Sequence, residues 1–78
     1  MRPEEQVKAM VEEVVARFIS ESLVTTIADY HEGWALGRLL GIQGMLDSGM
    51  TTISAAGHIE CTKLIFKTRS EIRAAGGS

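Results

Sequence analysis

The chain has 78 residues, of which 45% are hydrophobic and 23% charged, and its formal net charge is −2. This length corresponds to one domain, and the apolar content excludes intrinsic disorder, which requires a chain poor in apolar residues. A domain this small buries only about 60% of the surface that its unfolded chain exposes. Either nearly all of the apolar side chains pack inside, or some of them face a partner.

The chain shows none of the signals of export or membrane insertion. Cys61 is the single cysteine, so it has no partner for an internal disulfide. The opening segment MRPEEQVKAM is charged where a signal peptide has its apolar stretch. The apolar run after Arg38 ends at Asp47, well short of the roughly 18 residues that span a bilayer. We therefore expect a cytoplasmic protein without a membrane segment.

The N-terminal segment predicts an amphipathic helix. Pro3 suits the first turn of a helix, and Glu4 and Glu5 complement the positive end of the helix dipole. Apolar residues then recur at the i, i+3, i+4, i+7 spacing of one helical face, namely Val7, Met10, Val11, Val14, Val15, Phe18 and Ile19. The pattern indicates a first helix from about residue 4 to about residue 20.

A break is expected after this helix, because the apolar stripe does not continue in the same direction. The serines and paired threonines of ISESLVTT weaken helix propensity. The rotated face is defined by Leu23, Ile27, Tyr30 and Trp34. We place the break near Ser20–Ser22 and a second helix from about residue 23 to about residue 47. One long helix with a drifting stripe is the alternative.

The third helix follows a turn. Gly49 suits the left-handed residue after a helix end, and Thr51, Thr52 and Ser54 are candidate N-caps. The helix runs from about residue 54 to about residue 75. Its main apolar face consists of Cys61, Leu64, Ile65, Thr68 and Ile72. A second apolar patch consists of Ile59 and Phe66, which are one heptad apart. The sequence thus predicts a single all-α domain of three helices over residues 1–78. The second helix is central because it is apolar nearly all round.

Four glycines repeat at helical spacing inside the second helix. Each costs about 0.8–1 kcal/mol relative to alanine in a helix interior, so the close approach of another helix is expected to compensate. We expect the glycines to meet a second copy across a two-fold axis. The alternative is that they seat the third helix of the same chain. The predicted homodimer interface, with two aromatic anchors, comprises Tyr30, Gly33, Trp34, Gly37, Gly41 and Gly44.

Charge is distributed unevenly along the chain. Residues 1–33 contain seven acidic and three basic side chains, for a net charge of −4, whereas residues 34–78 contain three acidic and five basic ones, for +2. The first interpretation is a pair of complementary faces, within one molecule or across a dimer. The second is a basic C-terminal helix aimed at nucleic acid. The charged face for a partner would then be Lys63, Lys67, Arg69 and Arg73.

The ionisable residues form no catalytic, cofactor-binding or metal motif. His31 and Glu32 lack the second histidine of a helical zinc site. His58, Glu60 and Cys61 are close in sequence, but three neighbouring ligand types do not make a tetrahedral site alone. Cys61 lies on the predicted core face, where a thiol packs as a small apolar group. We therefore expect no enzyme activity, no cofactor and no metal.

The segment GMLDSGMTTISAAGHIECTKLI has the outline of a helix-turn-helix, with a glycine-bearing turn followed by a helix start and an apolar seam. The basic residues, however, lie towards the far end of the would-be recognition helix. Its first residues, SAAGHIE, are poor in side chains that read bases, and the net negative charge opposes binding to phosphates. A small DNA-binding regulator is therefore the alternative function.

The stretch ALGRLLGIQGMLDSGMTTIS, a small-residue helix that closes on a Ser-Gly turn before another helix, resembles the small all-helical accessory proteins of phage and prophage genomes. The resemblance covers about a quarter of the chain and implies a short protein that binds a host or phage protein. We therefore predict a non-enzymatic interaction module that modulates a protein partner.

Overall fold

The computed structural model describes residues 2–22, 28–49 and 52–76, and these residues form three α-helices. Helix α1 is Pro3–Ser22, α2 is Ala28–Asp47 and α3 is Ala55–Gly76. No described residue lies in a strand, which confirms the predicted all-α, three-helix class. Where a break was expected near Ser20–Ser22, α1 continues to Ser22. The predicted start of the second helix at Leu23 lies outside the described residues.

The helices form an up-down-up bundle. The guanidinium carbon of Arg17 lies 4.5 Å from the centre of the Trp34 ring, so the end of α1 meets the start of α2. The amide of Gln43 donates to Thr62 Oγ1 at 3.2 Å, which brings the end of α2 beside the start of α3. The bundle measures 39 × 21 × 16 Å. Helices of about 30–33 Å therefore lie along its long axis.

Helices α1 and α3 run parallel, because their first turns meet at the same end of the bundle. Lys8 Nζ lies 3.5 Å from Glu60 Oε1, and Ser54 Oγ donates to Glu4 Oε1 at 3.5 Å. Gly57 lies under the same glutamate. A Cβ atom built on Gly57 would be only 2.6 Å from Glu4 Oε1. Among the described residues, Gly57 is therefore the glycine at which a Cβ atom would require another side chain, that of Glu4, to move.

Each helix contributes one narrow stripe to the core. The buried apolar residues are Val7, Val11, Val14 and Phe18 of α1, Ala35, Leu39, Ile42 and Leu46 of α2, and Cys61, Ile65 and Ile72 of α3. Cys61 lies in the core, as the sequence predicted. The predicted enclosure of α2 is wrong, since Leu40 is 51% exposed. A helix with two neighbours in a three-helix bundle has one side left without contacts.

The turn after α2 and the start of α3 follow the sequence signals. Gly49 has a φ of +74°, the left-handed conformation predicted for the residue after a helix end. The Gly57 amide donates to Ser54 Oγ at 3.0 Å, so Ser54 is the N-cap of α3. Of the other two candidates, Thr52 precedes this cap, and Thr51 lies outside the described residues.

Candidate functional site

The glycines of α2 lie on the side of the helix that contacts neither neighbour. At 100° per residue, six positions fall within a sector of about 100°, which we call the glycine face: Tyr30, Gly33, Gly37, Leu40, Gly41 and Gly44. All four glycines are exposed, and a Cβ atom built on any of them would meet no heavy atom of residues 2–22, 28–49 and 52–76 within 4 Å. The intramolecular alternative, in which they seat α3, is not what the described residues form.

The glycine face carries no charged side chain, which is unusual for an exposed helix side in water. Tyr30 is 65% exposed and Leu40 is 51% exposed, so two large side chains lie at its margins. From Gly33 to Gly44 the face is about 16 Å long. It presents bare backbone between apolar side chains, a surface on which another helix can approach closely.

A groove between α1 and α2 borders the glycine face. Its volume is about 340 Å³, and Gly37 and Gly41 contribute to its wall. The other lining residues are Met10, Glu13, Val14, Arg17, Trp34, Arg38, Ile42 and Met45. The groove is thus mainly apolar along its length, with charged side chains at its edges.

Trp34 lies at the edge of this groove, beside the glycine face and partly buried against the core. The guanidinium carbon of Arg17 lies 4.5 Å from the ring centre, and that of Arg38 lies 5.7 Å from it. Both distances allow cation–π attraction. Trp34 is therefore held in place by its own chain, while Tyr30 is the exposed aromatic of the predicted interface.

Arg17 also links α1 to the first turns of α2. Its Nε donates to Glu21 Oε1 at 2.9 Å, and the other oxygen of Glu21 lies 3.5 Å from His31 Nδ1. The hydrogen bond from Arg17 is the main cause that lowers the pKa of Glu21 below its ordinary value of 4.5, and His31 adds to it. His31 is only 4% exposed, so it is a buried residue of α2.

The four basic residues predicted as a partner face lie on α3. Lys63, Lys67 and Arg73 are exposed. Arg69 is half-buried, with its guanidinium carbon 5.7 Å from the centre of the Phe66 ring. None of the four forms an ion pair with a carboxylate of the described residues.

The side chains that could act as metal ligands or nucleophiles lie in different parts of the bundle. His31 lies beside Glu21, near the end of α1. His58 lies 3.1 Å from Asp47 at the opposite end of the bundle. Burial raises the pKa of the Cys61 thiol above its ordinary value of 9.0, so the nucleophilic thiolate is disfavoured. Within residues 2–22, 28–49 and 52–76, no three such side chains are grouped as metal ligands.

Two structural features were missed from the sequence. The Arg17–Trp34–Arg38 stack could have been found from the four-residue step between Trp34 and Arg38, but Arg17 is brought in by tertiary packing. The contact between Glu4 and Gly57 joins residues far apart in the chain, and a single glycine gives no periodic signal.

Comparison with protein-family models, curated proteins and solved structures finds no match to the chain. Among the described residues, no helix is both long enough and apolar enough to cross a membrane. Functional inference therefore depends on the surfaces themselves.

Proposed function

We propose that the chain is a small, non-enzymatic protein-interaction module of the cytoplasm that forms a homodimer through the glycine face of α2 and modulates a protein partner. The observation that carries this proposal is the open, uncharged glycine face. Its four glycines together cost about 3–4 kcal/mol of helix propensity, a large share of the roughly 5 kcal/mol that stabilises so small a domain. Within the described residues, no packing contact offsets this cost.

A second copy is the occupant that fits this face. Backbone-to-backbone approach requires small residues over more than one turn, and the glycines supply them from Gly33 to Gly44. Tyr30 and Leu40 would lose their exposed apolar surface in the contact, which is the main source of stabilisation at interfaces.

Light scattering tests the dimer. We expect the chain to have twice the 8.5 kDa mass of one copy, and Gly37→Leu to reduce this to 8.5 kDa with an unchanged helical circular dichroism spectrum. Ala9→Leu, at an exposed position of α1, is the matched control and should remain dimeric. A wild-type monomer at millimolar concentration, or a dimeric Gly37→Leu variant, would contradict the proposal.

A partner protein, rather than a substrate, is supported by the chemistry of the ionisable groups. The Cys61 thiol is buried with a raised pKa, and His31 and His58 are at opposite ends of the bundle. The resemblance to phage and prophage accessory proteins supports the same class, with a host or phage protein as the partner.

The second candidate is a small helix-turn-helix-like DNA-binding regulator, favoured by the four α3 cations that lack carboxylate partners among the described residues. Two carboxylates oppose it. Glu4 lies over Gly57 and Asp47 lies beside His58, at the helix start that such regulators place against bases. Tight binding to random duplex DNA that weakens steeply with salt would favour this alternative.

A further inference from the structure

The outward side of α3 combines exposed apolar groups with cations. Ile59 is 55% exposed and Phe66 is 54% exposed. They are one heptad apart, so they lie on the same side of α3, about 10.5 Å apart along the helix. Around the helix axis this side is about 140–160° from buried Cys61. We call this surface the basic face of α3: Ile59, Lys63, Phe66, Lys67, Arg69 and Arg73.

Acidic side chains are absent from the basic face. Glu60 points to α1, where it lies 3.5 Å from Lys8 Nζ, and Glu71 lies on the same side of the helix as Glu60 by the 100° step. The groove between α1 and α3 is different. Lys8, Glu12 and Glu60 give it side chains of both signs. By the same step, Lys67 lies about 20° from Glu60, so Glu60 and Glu71 border the basic face along that edge. At its centre Ile59 and Phe66 lie between Lys63 on one side and Arg73 on the other, where no acidic residue intervenes.

We propose that the basic face of α3 binds an acidic amphipathic helix of a partner protein. This inference rests on the proposed function as an interaction module, but it uses a different surface from the glycine face. Two anchors seven residues apart match the i, i+7 positions by which an amphipathic helix is recognised. Cations on both sides of the anchors select a partner with Asp and Glu beside its apolar seam.

The same arrangement disfavours a membrane and a nucleic acid. Ile59 and Phe66 are two apolar side chains, a small insertion compared with the continuous apolar side of an interfacial helix. A phosphate backbone would pair with the cations but leave Ile59 without an apolar partner. An acidic helix supplies both the carboxylates and the apolar seam.

The binding experiment uses a synthetic helical peptide about three heptads long, with leucines along one seam and glutamates on both sides. Its controls are a scrambled peptide of the same composition and a peptide with lysine in place of every glutamate. Fluorescence anisotropy of the labelled peptides measures the dissociation constants. We expect binding of the glutamate peptide, and affinity at least about tenfold weaker for each control.

Variants of the protein localise the contact. Ile59→Ser and Phe66→Ser should each weaken peptide binding about tenfold. Ile19→Ser is the matched control, since Ile19 is also 54% exposed but lies on α1. Reversal of two charges, Lys63→Glu with Lys67→Glu, should abolish binding of the glutamate peptide and create binding of the lysine peptide. Circular dichroism confirms that each exposed substitution leaves the helices intact.

Equal binding of the scrambled peptide, or equal loss in Ile19→Ser and Phe66→Ser, would overturn the proposal. So would tighter binding of duplex DNA or of anionic phosphatidylserine vesicles than of the glutamate peptide. The Gly37→Leu variant separates the two proposals. It should bind the peptide as wild type does, so loss of the dimer and loss of peptide binding are independent outcomes.

Discussion

Glycines occupy two regions of this bundle under opposite conditions. Gly57 of α3 is buried, and a Cβ atom there would lie 2.6–3.0 Å from three atoms of the Glu4 side chain. The four glycines of α2 are exposed, and a Cβ atom on any of them would meet nothing within 4 Å in the part of the chain that the structure describes. A side chain at Gly57 thus requires the Glu4 side chain to move, whereas the described residues place no obstacle at the four glycines of α2.

This difference shows what residue spacing can and cannot reveal. A four-residue repeat identifies a face, because it depends only on the helix period. It does not identify the neighbour of that face. Gly57 belongs to no such repeat. Among the described glycines it is nevertheless the one at which an added Cβ atom would meet another side chain, that of Glu4.

The largest effect on stability is expected when a bulky side chain replaces buried Gly57. Gly57→Leu should lower the free energy of unfolding by about 1–3 kcal/mol, because Gly57 is buried and a bulky side chain there must displace the Glu4 side chain between the first turns of α1 and α3. Gly44→Leu places the same side chain in open space and should lose much less, measured by urea denaturation of dilute protein. Equal losses in the two variants would show that the regions do not differ.

A comparison of Gly49 with Gly41 separates the effect of backbone conformation on stability from the effect of the room available for a side chain. At either position a Cβ atom would meet none of the described residues within 4 Å, but of the two only Gly49 has a positive φ, of +74°. Gly49→Ala should therefore destabilise by about 1–2 kcal/mol, and Gly41→Ala should stabilise the dilute monomer by up to about 1 kcal/mol. Thermal unfolding of both variants is the measurement. Stabilisation by Gly49→Ala would contradict the left-handed turn.

The contact between Glu4 and Gly57 can be isolated by a double-mutant cycle. Gly57→Ala forces the Glu4 side chain to move, so part of the gain in helix propensity is lost. In a Glu4→Ala background that obstacle is removed, and Gly57→Ala should be more favourable by about 0.5–1 kcal/mol. Urea midpoints of the four proteins give the coupling energy. A coupling of zero would mean that Glu4 does not restrict this position.

The smallest effect concerns the other end of α1. The pKa of Glu21 is lowered in the folded state, so its contribution to stability is present above pH 4.5 and is lost as the pH falls through the folded-state pKa. Glu21→Gln should therefore flatten the acid limb of the stability curve, measured by thermal unfolding between about pH 2 and pH 6. Glu13→Gln, at an exposed position of α1, is the control. An unchanged acid limb in Glu21→Gln would contradict the assignment.

Much of the fold could be predicted from local signals. The apolar stripe of α1, the left-handed Gly49, the Ser54 cap and buried Cys61 each depend on residues close together in the chain. The exposure of Leu40 and the burial of His31 could not be predicted in this way, because they depend on where the other two helices lie around α2. For the candidate site, the sequence identified the glycine positions and the cations, and the structure added that both surfaces are open.

Trp34 is the only tryptophan in the chain, so its fluorescence is an intrinsic probe of one defined part of the protein. Its ring lies between Arg17 and Arg38 at the margin of the glycine face, and the basic face of α3 contains no second indole. The intrinsic tryptophan emission therefore reports on the α1–α2 side alone. A shift on concentration, with no shift on peptide addition, would assign each association to its own surface without any label on the protein.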